Sequence, residues 1–428
     1  MSTSKGGNTV IAIVIGLVGG ILFSAISGAP IMGCIVGALF ASIECALLVA
    51  ECDPRASGIV ALAFFIKFIL SMYQAINKDL PLGGEDWWNY HNSAIGIINS
   101  YGAFAGLFQS STDLFAKPVA ILYSIFGTHT MYINFFVLGT SFAAARYVLR
   151  AALLVTDYDY DASYAALKAF LFWPIDIVYS VTYLREMPVQ MLVICSFYHF
   201  IAFKQSRNAG RLIMAFVTIA LACMMHSGVI AVMFVYLAFS LVNKENTEYR
   251  IFSVKNLALI GIALLIIVVS PLWSLISAKL GNVTTAEGLI ARASQFDIDA
   301  NTKYITDIPS SIGGLILQMP YRAALFAVVP LPWMVYSTGT AIAFVIDAIP
   351  MWWLLYRLIK LNGLTKHTRK RVFYVVCIFA VIGTFLICGL GTTAYGNAIR
   401  HRAKILPIIL VFAVGLFNHI KNGRELHE

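Results

Sequence analysis

The chain has 428 residues, 60% of them hydrophobic and 12% charged, with a formal net charge of +9. Those proportions exclude an ordinary soluble globular protein. The lysines and arginines stand between apolar runs and form no basic face, so the positive charge speaks for membrane orientation and against a nucleic-acid partner.

A bilayer core about 30 Å thick takes roughly 20 apolar residues per helix. In chain order the sequence predicts spans at 9–27, 31–50, 58–75, 130–149, 162–183, 187–203, 257–277, 340–360, 372–390 and 403–420. The expected fold class is therefore all-α, a polytopic membrane helical bundle of about ten spans forming a single integral membrane domain over residues 1–428, with no soluble domain. The first span lacks a small-residue cleavage site followed by a soluble chain and reads as a retained signal anchor. Residues 118–127 are too short to span, 212–242 is interrupted by His226-Ser227-Gly228, and 313–337 carries Pro320, Pro330 and Pro332. These three stretches are expected to be broken, re-entrant or interfacial, which is tolerated at membrane depth only against protein or a wet cavity.

The positive-inside rule places Lys204, Arg207 and Arg211, then Lys244, Arg250 and Lys255, then Lys366, Arg369, Lys370 and Arg371 on the cytoplasmic side. Outside lie 76–117, the turn at 184–187, the loop 278–312, and 391–402. Arg400, His401, Arg402 and Lys404 then fall on the side where basic residues are disfavoured, which marks them as candidates for a ligand.

Glu44 and Lys67 fall at similar depth in neighbouring spans and are expected to pair. Gly83-Gly84-Glu85-Asp86-Trp87-Trp88-Asn89-Tyr90-His91 follows the third span. Sugar rings stack on aromatic faces and carboxylates take hydroxyl protons. Glu85 and Asp86 are thus candidate catalytic acids, and Trp87, Trp88, Tyr90 and His91 candidate sugar contacts; an aromatic belt at the interface is the alternative for the rings. After them Ile95, Ile98, Tyr101, Phe104 and Phe108 recur at helical spacing and predict a helix in the interface plane.

Asp176, two residues after Pro174, and the turn residues Arg185 and Glu186 form a second group; an interfacial ion pair is the alternative for the last two. The third group is Arg400-His401-Arg402-Ala403-Lys404, whose guanidinium forks suit phosphate oxygens. A lipid diphosphate would sit at this depth, and anionic phospholipid is the alternative. His226, at the break in 212–242, could donate to phosphate or sugar, or serve only the fold. Asp347, Arg322, Arg292, Asp297 and Asp299 lie near the outer half without an assigned role, and Asn282-Val283-Thr284 fits a glycosylation sequon. Six of the seven cysteines, Cys34, Cys45, Cys195, Cys223, Cys377 and Cys388, lie inside apolar runs and read as small buried hydrophobes. Their spacing indicates neither disulfides nor a metal site. No P-loop, HExxH, CxxC or GxSxG pattern is present, and no cofactor is called for.

The acidic-aromatic loop with Asp86 and Tyr90-His91, the Phe172-Trp173-Pro174…Arg185-Glu186 turn, Pro330-Leu331-Pro332-Trp333 and Arg400-His401-Arg402…Pro407 together resemble bacterial polysaccharide polymerases of the O-antigen and capsule type (Wzy-like). More distantly they resemble membrane glycosyltransferases of the GT-C class. The resemblance implies an inner-membrane enzyme of cell-envelope biogenesis. It would take repeat units on undecaprenyl diphosphate at the extracytoplasmic face and use no nucleotide sugar or ATP. It puts a chain-length regulator and a flippase among the expected partners, with membrane lipids and the lipid-linked oligosaccharide. It implies diphosphate binding by Arg185, Arg400 and Arg402, assisted by His401 and Lys404, with Asp86 or Glu85 as base. A transferase of single sugars from undecaprenyl phosphate is the runner-up. A lipid-linked oligosaccharide flippase, which would predict inverted repeats, comes third.

Overall fold

The structure is a computed structural model describing residues 5–84, 86–109, 113–241, 243–245, 248–250, 302–305, 311–366 and 368–425. Glu85, the expected span 257–277, the sequon at Asn282, Arg292, Asp297 and Asp299 lie outside the described residues. Among the described residues eight helices are long and apolar enough to cross a membrane, or nine if one bent pair counts as a span. The protein is a polytopic, almost wholly helical membrane protein. A three-residue hairpin, Asn243–Glu245 against Glu248–Arg250, is a small departure from all-α in the second basic loop.

The chain divides into two compact units, residues 1–150 with 163–191 and residues 151–162 with 192–428. The first begins with α1 (Lys5–Ser27), α2 (Ile31–Glu51) and α3 (Pro54–Asn77). Small residues let α1 lie close on α2: a methyl group at Gly16 would collide with the Ser42 side chain, and one at Gly20 would press on the Cys34 carbonyl. This is the close backbone approach that glycine at four-residue spacing permits between apolar helices, where lipid supplies no hydrophobic drive to pack. α3 starts sharply because Asp53 caps it, accepting from the Arg55 amide, and Pro54 occupies the first turn, where its missing N–H costs nothing.

α4 (Asp86–Tyr101) and the short α5 (Ala103–Gly106) follow, then α6 (Ala116–Phe126). α4 packs on α6 and buries Tyr90, Ala94 and Ile97. Tyr101, Phe104 and Phe108 are exposed and Ile95 and Ile98 half-buried, and the single helix expected over 92–108 is broken at Gly102 (φ 74°). α7 (Ile133–Val155) brings Arg146 between Glu44 and Glu51 of α2, at 2.8 Å from each, while Arg150 reaches Glu51 at 2.6 Å. The expected Glu44–Lys67 pair is thus corrected. Arg146 outcompetes a lysine because its planar fork can serve two carboxylates at once. Lys67 instead donates to Ser141 (3.3 Å) and lies within electrostatic reach of Asp176.

The expected span 162–183 is bent: α8 (Tyr160–Leu171) and α9 (Pro174–Val181) meet at 58°. Pro174 lacks the N–H that would continue α8 and is pre-set for the first turn of α9. α10 (Glu186–Ser206) then begins at the turn.

In the second unit 212–242 is broken as expected, with α11 (Ala209–Met225) ending at His226, a 3₁₀ turn at Ser227–Val229, and α12 (Ile230–Leu241). α13 (Ile312–Val328) contains Pro320 and is too short to count among the eight spans. α14 (Thr338–Thr365) is a span with a π-helical turn at Phe344–Ala348, α15 (Arg371–Leu390) is regular, and α16 (Tyr395–Ala403) leads into α17 (Leu406–Gly423).

Candidate active site

In the first unit the chain leaves α3 through residues with positive φ, Lys78 at 57° and Leu82 at 64°, then Gly84 at 68°. This tight reversal sets Asp86 in the first turn of α4, where the helix dipole favours a carboxylate. Lys78 Nζ stands 3.6 Å from the centre of the Trp87 ring. Both line a small pocket with Gln74, Thr130, Asn134 and Tyr183. Trp88 is half exposed and packs on His91. Tyr90 is buried against Phe115 (5.0 Å between ring centres) and Tyr183 (6.3 Å).

His91 Nδ1 is 2.9 Å from the Tyr123 hydroxyl. Burial, reinforced by the charge of Lys78 and by His129, holds the His91 imidazole below its ordinary value. A depressed folded value means that the unfolded chain takes up the proton first. The stabilisation is therefore complete above the ordinary histidine value of about 6.5 and is lost as pH falls through the lower folded one. His91→Gln should flatten this part of the acid slope of the melting midpoint, and an unchanged slope would show that His91 does not contribute. His129 is shifted the same way, so some slope remains in the variant.

Arg185 pairs with Asp113 at 3.1 Å and lies over the Tyr90 ring. Glu186 is buried in the first turn of α10. Asp176 is fully buried and accepts from Gln190 Nε2 at 2.7 Å. Asp86, Trp87, Trp88, Tyr90, His91, Asp176, Arg185 and Glu186 all belong to this unit. Asp113 and Gln190 were missed by sequence reading. An Asx turn at Asp113, whose carboxylate accepts from the Phe115 amide, was the available signal for the first.

In the second unit the basic cluster is not a surface patch. Arg402 and Lys404 are buried, and Arg322 of α13 is buried as well. Arg402 forms an ion pair with Asp347 and donates to the Phe326 carbonyl at 2.8 Å. Arg322 donates to Gln318 and to the Leu390 carbonyl. Tyr304, within electrostatic reach of both Arg402 and Arg322, donates its hydroxyl to the Thr392 carbonyl. Arg400 and His401 are half-buried, and the His401 ring lies 4.6 Å from that of His226. Cys388 completes this group: one ligand atom each from His226, Cys388 and His401 all lie within 4.8 Å of one another. Cysteine and histidine spacing could not disclose this, because the three are brought together from α11, α15 and α16.

No family model and no curated protein matches the sequence. One solved structure, ArnT from Cupriavidus metallidurans bound to undecaprenyl phosphate, is similar over 84% of this chain at 14% identity and a TM-score of 0.49. The similar region spans 60% of that longer chain.

Proposed function

We propose that the protein is a membrane glycosyltransferase of the GT-C kind that joins sugar repeat units carried on undecaprenyl diphosphate, acting as a polysaccharide polymerase on the extracytoplasmic face of the bacterial inner membrane. The observation that carries this reading is the convergence of Arg322, Arg402 and Lys404 with His226 and His401 in the second unit, among helices of membrane character. Buried cations in a low-dielectric setting act strongly on an anion. They are suited to a leaving group whose charge grows as its bond breaks.

In the proposed reaction an acceptor hydroxyl attacks the anomeric carbon, the bond from that carbon to the diphosphate oxygen breaks, and the diphosphate leaves with the electron pair. Arg400, being half-buried, is assigned to touch the diphosphate, with Lys404 adding charge and His401 standing beside them. Arg402, committed to Asp347 and the Phe326 carbonyl, is assigned to hold the cluster in place. In the first unit, Asp86 is assigned as a base for a sugar hydroxyl, and the open face of Trp88 to carry a sugar ring. Buried Tyr90, tied to Arg185 and Asp113, supports that helix.

Deleting the gene and resolving surface polysaccharide by gel should leave products of one repeat. Complete loss of the repeat would identify a single-sugar transferase instead, and chains of normal length would refute the reading.

A further inference from the structure

We infer that His226, Cys388 and His401 form a binding site for one soft transition-metal ion of the zinc class. The inference stands on the geometry of the three side chains and is independent of the glycosyltransferase reading. His226 ends α11 in an extended conformation, Cys388 lies in the last turn of α15, and His401 lies in the last turn of α16. Cys388 Sγ is 3.9 Å from His226 Nε2. Zinc takes nitrogen at about 2.0–2.1 Å and sulfur at about 2.3 Å, which sets the edge between two such ligands near 3.6 Å. All three donor atoms lie within 4.8 Å of one another, so shifts of about an ångström close the site.

Two neighbours fit a ligand role. The Thr392 hydroxyl sits 3.1 Å from His401 Nδ1. A ring whose Nδ1–H is held by an outer partner turns its bare Nε2 to the metal, as metal-bound histidines almost always do. Gly228 supplies the space: a methyl group there would fall 2.4 Å from Cys388 Sγ and 2.8 Å from His226 Nε2, so a side chain at 228 would occupy the place of the ion.

Donor chemistry selects the metal class. Thiolate and imidazole suit zinc and copper and are poor ligands for calcium or magnesium, which take oxygen. Three protein donors leave a fourth tetrahedral position for water or another oxygen ligand.

The test uses the full-length chain purified into lipid nanodiscs, stripped with chelator and titrated with Zn²⁺, with Co²⁺ as a spectroscopic stand-in. One ion per chain is expected, and the Co²⁺ form should show a thiolate-to-metal charge-transfer band. Cys388→Ser should abolish the band, Gly228→Ala should weaken binding at least tenfold, and Thr392→Val should weaken it by about ten- to a hundredfold. Absence of the band in the wild-type chain, or its persistence in Cys388→Ser, would overturn the site. The wild-type spectrum decides the matter even where a variant fails to fold, and no readout depends on sugar transfer.

Discussion

Asp347→Ala is expected to destabilise the protein by about 3–5 kcal/mol, because it leaves the Arg402 guanidinium as a buried charge without its carboxylate. Both side chains of this pair are sealed, Arg402 at 0% and Asp347 at 1% exposure. The pair also ties three elements: Asp347 sits on the π-helical turn of α14, Arg402 on α16, and the Phe326 carbonyl that Arg402 reaches is on α13. A loss of that size is a large part of the 5–15 kcal/mol that typically holds a domain together. Low abundance and a lowered melting midpoint in detergent are the expected readouts. The double variant Asp347→Leu with Arg402→Met should recover most of the loss, since removing both charges also removes the desolvation cost that each carries. If Asp347→Ala melts like the wild type, or the double variant is worse than the single one, the pair is not the anchor of this cluster. Arg402→Lys should fall between the two, because an ammonium cannot serve the carboxylate and the carbonyl with a fixed fork.

The largest effect on turnover is expected at Asp86. Asp86→Asn keeps the shape of the side chain and removes the proposed base, and loss of a positioned general base lowers turnover by about 10²- to 10⁴-fold. The same residue occupies the first turn of α4, so the exchange also forfeits its interaction with the helix dipole, about 0.3–1 kcal/mol at an exposed end. The two roles separate cleanly because that stability loss leaves the protein folded. In a reconstituted assay with lipid-diphosphate oligosaccharide, the variant should bind substrate and fail to elongate it. Near-normal elongation at normal abundance would reduce Asp86 to a helix-start residue and the tryptophans to an interfacial belt.

Much of the architecture was legible because hydropathy is a property of the chain alone. Nine of the ten expected spans coincide with long apolar helices or the bent pair, and the break at His226-Ser227-Gly228 and the bend at Pro174 were written in residues that interrupt a helix. Partner choice was not legible. Depth matching paired Glu44 with Lys67, whereas rotation of α2 and α7 about their axes decided for Arg146. The same limit hid Cys388: within its apolar run nothing distinguishes it from Cys377, and only the approach of α11 and α16 makes it a possible ligand. The basic run at 400–404 looked uniform in sequence. Helical rotation divides it into half-buried Arg400 and His401 and sealed Arg402 and Lys404.

The close seam between α1 and α2 has a counterpart on the opposite side of α1. Buried positions run Asn8, Ala12, Gly16, Gly20 and Phe23, while Val10, Val14, Val18, Leu22 and Ile26 form an exposed stripe at four-residue steps. Along that stripe the surrounding medium is hydrocarbon, which distinguishes apolar from polar but scarcely one aliphatic shape from another. The two stripes of one helix are therefore under unlike selection. At the seam even a single added methyl group is a collision, whereas on the outer stripe valine, leucine and isoleucine are interchangeable, so drift should accumulate there while Gly16 and Gly20 stay fixed.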